Sequence, residues 1–347
     1  VSSAGLVQSC GKGTSARVVI VGGGLGGATC ARYLLRFDSS LQVTLVEPAT
    51  RFVTFAFSNM VISGMRKIDS ISHGYTALQE LGVDVVHAKV QAVDATVKMV
   101  ALDNGKVVHY DKLVLSPGID FKWDMVDGMR AADVKAIPHA WRAGTQTILL
   151  RDQLRAMDDG GTVIVAPPEN PFRSPTGPYE RVSLIAHYLK QYKAKSRILV
   201  LDTKDEFSNQ ELFQQGWQAL YPGMVEWIGG SDGGRIDEVD VATRTLYTES
   251  GDKHRGDVVN LIPPQRAADI AITSGFANSD GWCLVDQRTF ESEAHKDVHV
   301  IGDACIAGEM PKAGFASNSQ AKVCAAAIVS SLRGELMPEP SYVNTCY

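Results

Sequence analysis

Short apolar runs, each closed by a glycine- or proline-bearing turn, recur along this chain, and several lead into helical stretches. Arg17 to Val21 is mostly β-branched, and Gln42 to Val46 repeats that character after the stretch Ala28 to Phe37. Unbroken apolar runs of this length mark strands buried on both faces, and the intervening stretch predicts a helix. The same order returns in mid-chain: Gly161 to Ala166 as strand, Glu180 to Tyr192 as helix, Arg197 to Asp202 as strand. Further on, Leu113 to Leu115 and Val298 to Ile301 predict buried strands. The Ala-rich stretch Ser317 to Arg333 predicts a long helix. Strands alternating with helices define an α/β chain with parallel sheets. The pattern turns irregular near Gly128 to Pro138 and resumes its first register near Asp269 to Phe276. The expected domains are therefore 16–130 joined with 270–347, and 131–269 between them, with 1–15 as a linker or export-signal remnant.

The turn after the first strand carries the first chemistry. Gly22, Gly24 and Gly27 fit the spacing G-x-G-x-x-G, and Glu47 follows Gly27 by twenty residues at the end of the second strand. The first glycine makes the tight turn, the second lets a pyrophosphate approach the backbone, and the third packs helix on strand. The helix amino end offers free N–H groups and a positive partial charge to the phosphates. An acid at Glu47 suits a ribose that lacks a 2′-phosphate. The run ending in Gly302 and Asp303 is a second motif, and Leu113-Val114-Leu115-Ser116-Pro117-Gly118 is a third. In order, the three resemble the FAD-binding segments of flavoproteins built from two dinucleotide-binding domains. That resemblance gives Asp303 the ribityl chain, places Ser116, Pro117 and Gly118 beside FAD, and aims the amino end of the last helix at the flavin pyrimidine.

Composition narrows the class. In 347 residues, 45% hydrophobic and 21% charged, there is room for two domains with sizeable cores. A formal net charge of −5 leaves no basic footprint for nucleic acid. No apolar run reaches the roughly 18 residues of a membrane span, and no internal sequence repeat or low-complexity tract is evident. The small, polar stretch Val1 to Thr14 reads as a disordered tail left by an export signal; Val7-Gln8-Ser9-Cys10 is a faint lipoprotein-like box. The six cysteines, Cys10, Cys30, Cys283, Cys305, Cys324 and Cys346, show no metal spacing, and Cys30 and Cys324 read as core residues.

The second strand-helix-strand unit lacks the glycines of the first. Its turn is Pro167-Pro168-Glu169-Asn170-Pro171-Phe172-Arg173. Prolines remove backbone donors, and side chains block a pyrophosphate. The expectation is a Rossmann-like domain without a nicotinamide site.

Taken whole from Arg17 onward, the chain resembles the flavoprotein subunit of flavocytochrome c sulfide dehydrogenase, and beyond it sulfide:quinone oxidoreductases and disulfide reductases. The stretches that carry the resemblance include Pro138-His139-Ala140-Trp141-Arg142, Pro171-Phe172-Arg173-Ser174-Pro175, Ile262-Pro263-Pro264-Gln265-Arg266 and Asn344-Thr345-Cys346-Tyr347. The resemblance implies two Rossmann-like domains of the disulfide-reductase type, with the FAD domain discontinuous. It implies sulfide oxidation at a cysteine pair beside FAD, electron delivery to a c-type cytochrome subunit carrying haem c, and a periplasmic setting. It adds Pro48 and Val90 to the FAD envelope, and Lys312 beside the pyrimidine, where the alternative is a surface lysine.

Three departures qualify it. One family cysteine is replaced by Ser174, which forms neither disulfide nor persulfide, so Cys346 alone is retained, with Cys283 and Cys305 as possible substitutes. Phe55 stands where the family often attaches FAD through a cysteine, so FAD is expected to bind non-covalently, with Phe55 near its dimethylbenzene edge. Family chains continue past the segment that here reaches Tyr347, which leads to an expectation of a more exposed flavin or of a fragment. Two other readings stand beside sulfide dehydrogenase: an electron-transfer subunit that has lost the cysteine pair, and a quinone reductase, disfavoured because Ser331 to Tyr347 is too polar to dock on lipid. His73, His139 and His187 read as structural histidines. Glu180 reads as a complement to its helix dipole, or as a base near Ser174.

Overall fold

The computed structural model describes residues 15–344. Five parallel strands form the first sheet in the order Val298–Val300, Lys112–Leu115, Arg17–Val21, Gln42–Val46 and Asp84–Val86. Four parallel strands form a second sheet: Val225–Ile228, Arg197–Leu201, Thr162–Ala166 and Val258–Leu261. Each sheet is accompanied by a three-stranded antiparallel sheet inserted before the strand that pairs beside its unit's first strand. In the first unit this is Val90–Asp94, Met99–Leu102 and Val107–His109; in the second it is Ile236–Asp240, Thr245–Thr248 and Lys253–Arg255.

The duplication extends to single hydrogen bonds. Asp111 accepts the Arg17 backbone N–H at 2.7 Å, and Asp257 accepts the Thr162 backbone N–H at 2.8 Å. Each aspartate thus ties the start of its unit's first strand to the strand entering beside it. The periodic apolar runs specify these sheets, while the polar latches lie in connecting segments that periodicity does not read.

The strand Val298–Val300 returns the chain to the edge of the first sheet, and Val93 donates its backbone N–H to Ser274 Oγ at 3.3 Å. Between the units, Ile119–Phe121 pairs antiparallel with Gln265–Ala267, joining the two crossings. Val126 and Met129 pack into the core of the second sheet.

The helices begin earlier than their apolar periodicity predicts. The first runs Leu25–Phe37 rather than from Ala28, the mid-chain helix Gly177–Tyr192 rather than from Glu180, and the last Gly314–Arg333 rather than from Ser317. Each adds a first turn containing glycine, a poor helix former that tertiary fit places there. In the first helix, a Cβ on Gly27 would lie 1.9 Å from the Gly22 carbonyl oxygen, so helix and turn close together only through glycine. Leu25–Phe37 and Gly314–Arg333 pack along one another, bringing both amino ends to the carboxyl edge of the first sheet.

Candidate functional site

The first glycine turn is built against the Ser116 segment. Gly22 has φ +98°, and a Cβ there would meet the Ser116 carbonyl oxygen at 2.3 Å. Its N–H donates to the Val46 carbonyl at 2.9 Å, and the Ser116 N–H donates to the Val21 carbonyl at 2.8 Å. Gly24, by contrast, would present a Cβ only to carbons of the Phe52 ring, the nearest at 3.7 Å. No polar or backbone atom of another segment crowds the turn at Gly24, as a cradle for a pyrophosphate requires. Glu47 is held beside it: Oε2 accepts the Gly23 N–H at 2.7 Å, and Oε1 the Ala49 N–H at 2.9 Å.

Gly302 lies against the same serine. A Cβ on Gly302 would stand 3.6 Å from Ser116 Oγ, and its N–H donates to Gln320 Oε1 at 2.7 Å. Asp303 follows. Burial pushes its carboxyl pKa up, against the pull of Arg173 and Lys312. Its Oδ2 faces Arg173 Nη1 at 3.9 Å, while its Oδ1 is buried with no protein partner. Buried polar atoms are normally hydrogen-bonded, so this oxygen awaits a donor. The open cradle at Gly24 and the orphaned acceptor at Asp303 fit the pyrophosphate and the ribityl hydroxyls of FAD.

Beyond Asp303 the remaining candidates converge. Lys312 is buried, not a surface lysine: Nζ donates to the Asp303 carbonyl at 3.0 Å and the Cys305 carbonyl at 2.7 Å, and lies 3.8 Å from the centre of the Trp282 ring. Burial brings its pKa down to about 8, against Cys305, Asp303 and Cys283. The Lys312 carbonyl accepts the Ser174 backbone N–H at 2.7 Å, fixing the serine two residues before the last helix begins. No side chain caps that helix, so its first-turn N–H groups have no capping partner. Phe55 stacks edge-on against Trp141, centres 4.7 Å apart, and lies under the Arg173 guanidinium at 4.8 Å.

The cysteines divide. Cys346 lies outside the described residues, as does Cys10. Cys283 and Cys305 are register partners in a short parallel pairing, both buried, and burial pushes both thiols up to about 12 despite Lys312. A thiol held protonated is a poor nucleophile. Cys30 and Cys324 are buried in helices of the first core. Among the described residues no cluster of side chains is arranged to hold a metal ion.

In the second unit the place above the first turn is filled. Asp202, at the strand end that corresponds to Glu47, is fully buried. It accepts from Tyr179 Oη at 2.5 Å, Trp227 Nε1 at 3.2 Å and Lys204 Nζ at 2.6 Å. Lys204 also donates to the Pro168 carbonyl at 2.8 Å, and the Phe207 ring stacks on Tyr179 with centres 3.5 Å apart.

Of the sequence-predicted residues, Gly22, Gly24, Gly27, Glu47, Ser116, Gly302, Asp303, Lys312, Ser174 and Phe55 form one continuous tract through the contacts above. Pro117 and Gly118 continue from Ser116 toward the strand Ile119–Phe121. Pro48 lies exposed beside Glu47, and Val90 is buried at the start of an antiparallel strand. His73 is exposed on a short strand, His187 contacts Gln191, and His139 is buried with its pKa brought down to about 3, first by burial and then by Arg142, Arg181 and Arg173. The Glu180 carboxylate accepts from Asn59 Nδ2 at 2.6 Å.

Sequence reasoning missed the buried network behind the site. Arg181 donates to Asn59 Oδ1, Asn260 Oδ1 and the carbonyls of His139 and Ala140, at 2.7–3.0 Å. It also missed Arg173 and Gln265 as site residues. The available signal was a lone asparagine inside the apolar strand Val258–Leu261.

Fold and tract together define a flavoprotein of the disulfide-reductase type. Residues 16–144 match the pyridine nucleotide-disulphide oxidoreductase family, and residues 147–263 match the central region of the sulfide dehydrogenase [flavocytochrome c] flavoprotein chain. The flavoprotein chain of that dehydrogenase from Chlorobaculum thiosulfatiphilum is 64% identical over 45 residues, which cover 13% of this chain and 94% of that sequence. The chain therefore belongs to the family of flavocytochrome c sulfide dehydrogenase flavoprotein chains. Mitochondrial sulfide:quinone oxidoreductase of Mus musculus is 21% identical over 82% of this chain, which spans 65% of the mouse protein's length. The crystal structure of sulfide:quinone oxidoreductase from Aquifex aeolicus shares the fold, with TM-score 0.79 at 17% identity, over 92% of this chain and 78% of that one.

Proposed function

We propose that this chain oxidises sulfide or another reduced sulfur compound with FAD and passes the electrons to a c-type cytochrome subunit carrying haem c, in the periplasm. The observation that carries the reading is the junction of Asp303, Arg173-Ser174, Lys312 and Phe55 at the uncapped amino end of Gly314–Arg333. FAD, when bound, supplies an acceptor that takes two electrons and releases them singly. Residues of this chain do the rest. The turn at Gly24 and the helix behind it receive the pyrophosphate, Glu47 the ribose, and Asp303 Oδ1 a ribityl hydroxyl. Lys312 and the helix amino end offset negative charge at the pyrimidine. The phenyl ring of Phe55 makes no thioether, so FAD is held non-covalently. The filled place above Pro167 and Pro168 supports an enzyme that uses no nicotinamide.

Ser174 carries no persulfide, and the protonated thiols of Cys283 and Cys305 are poor substitutes. Cys346 is therefore the proposed sulfur-handling thiol. Ser174 also favours a second reading, an electron-transfer subunit whose sulfur chemistry is lost. Anaerobic titration of the FAD-loaded protein with sulfide separates them. Bleaching of the flavin bands supports sulfur oxidation; an unchanged spectrum, with full reduction by dithionite, supports the carrier. Assay with cytochrome c and with a soluble quinone separates the cytochrome acceptor from the quinone alternative.

A further inference from the structure

Two buried donors next to Ser174 have no protein acceptor. Gln265 is 3% exposed; its Oε1 accepts the Arg173 backbone N–H at 2.9 Å, and its Nε2 has no partner. Arg173 donates through Nη2 to the Trp141 carbonyl and turns Nη1 toward Asp303, but its Nε is buried and unpartnered. The two residues form one hydrogen-bonded unit, and Ser174 follows at φ +60° with its N–H fixed on Lys312. Buried donors without acceptors are unfavourable, and a guanidinium is best completed by an anion.

We propose that Arg173 Nε–H and Gln265 Nε2–H form a receiving site for a small sulfur anion, hydrosulfide or the terminal sulfur of a thiosulfate-like ion, held non-covalently beside Ser174. The inference rests on the sulfur-oxidising reading above and gives it a substrate subsite. Ser174 cannot anchor sulfur covalently, so directed hydrogen bonds and charge take over the holding. The surroundings favour an anion: Arg142 and Arg181 are close enough to interact with Arg173, Lys312 and Arg173 both act on Asp303, and the Asp303 carboxyl, which would oppose an anion, has its pKa pushed up by burial.

The test is calorimetric titration of thiosulfate into the oxidised, FAD-loaded protein. The expected result is one site per chain, weakened at least tenfold by Gln265→Glu. That change keeps an oxygen for the Arg173 N–H and replaces the donor by a charge. Arg173→Lys, which keeps the charge and loses the planar fork, is the second variant and is expected to weaken binding as well. Flavin content and circular dichroism identify which variants fold. Absence of thiosulfate binding to the unaltered protein overturns the site, because the donors then serve another group. Undiminished binding in either folded variant overturns it too. Flavin bleaching by sulfide without thiosulfate binding sinks this site alone, whereas thiosulfate binding without bleaching sinks the sulfur-oxidising reading alone.

Discussion

At the carboxyl end of Arg17–Val21 the chain turns through Gly22, Gly23 and Gly24; at the same end of Thr162–Ala166 it turns through Pro167 and Pro168. The units share a parallel sheet, an antiparallel insertion and an aspartate latch on the first strand. They part above the turn. In the first unit, Gly24 meets only the edge of the Phe52 ring at van der Waals distance, and the Glu47 carboxylate accepts from backbone N–H groups. In the second, Tyr179, Trp227 and Lys204 close on Asp202, and Lys204 reaches back to the proline turn. One architecture thus yields a ligand cradle where side chains are absent and a packed polar core where they are present.

Emptying the second unit's plug has the largest expected effect. Asp202→Ala leaves the largely buried Lys204 ammonium without its carboxylate, which costs about 3–5 kcal/mol. Urea unfolding measures it, and the variant is expected to gain no affinity for NADH, since Pro167 and Pro168 still lack the donors. Filling the first unit's cradle comes next. Gly27→Ala drives a Cβ onto the Gly22 carbonyl, costs about 1–3 kcal/mol by overpacking, and is expected to abolish FAD retention, read as the flavin-to-protein ratio. Asp303→Ala removes the orphaned acceptor and is expected to weaken FAD about tenfold, ~1.4 kcal/mol, in fluorescence titration of the flavin.

The smallest effect lies at the edge of the first sheet. Burial raises the pKa of Asp297, but hydrogen bonds and charge from Lys112 and Lys98 outweigh it and hold it at about 2. A depressed carboxyl stabilises the fold above its unfolded value, and that contribution is lost as pH falls from about 4 through about 2. Because Lys98 is 41% exposed, solvent screening limits it to about 1 kcal/mol. Asp297→Asn is expected to flatten the acid limb of the unfolding midpoint by that amount.

The sheets were legible because buried parallel strands are apolar throughout, and Arg17–Val21 and Gln42–Val46 fall where the pattern puts them. The glycine turn was legible because its spacing has a mechanical reason, whereas Asp303 was singled out by resemblance. Helix starts were not, because Gly27 is helical for a tertiary reason that propensity opposes. Arg173, Gln265 and the Arg181–Asn59–Asn260 network were not, because residues up to 122 positions apart in the chain meet only once both sheets have formed. The buried position of Lys312 likewise depends on Trp282 and on carbonyls outside its own segment.

The most direct test of the contrast between the units is a paired anaerobic titration of the FAD-loaded protein, one sample with sulfide and one with NADH, followed in the flavin absorbance bands. The expected result is bleaching by sulfide and none by NADH. Bleaching by NADH would contradict it, because the second unit would then accept the nucleotide that its prolines and its Asp202 network are held to exclude.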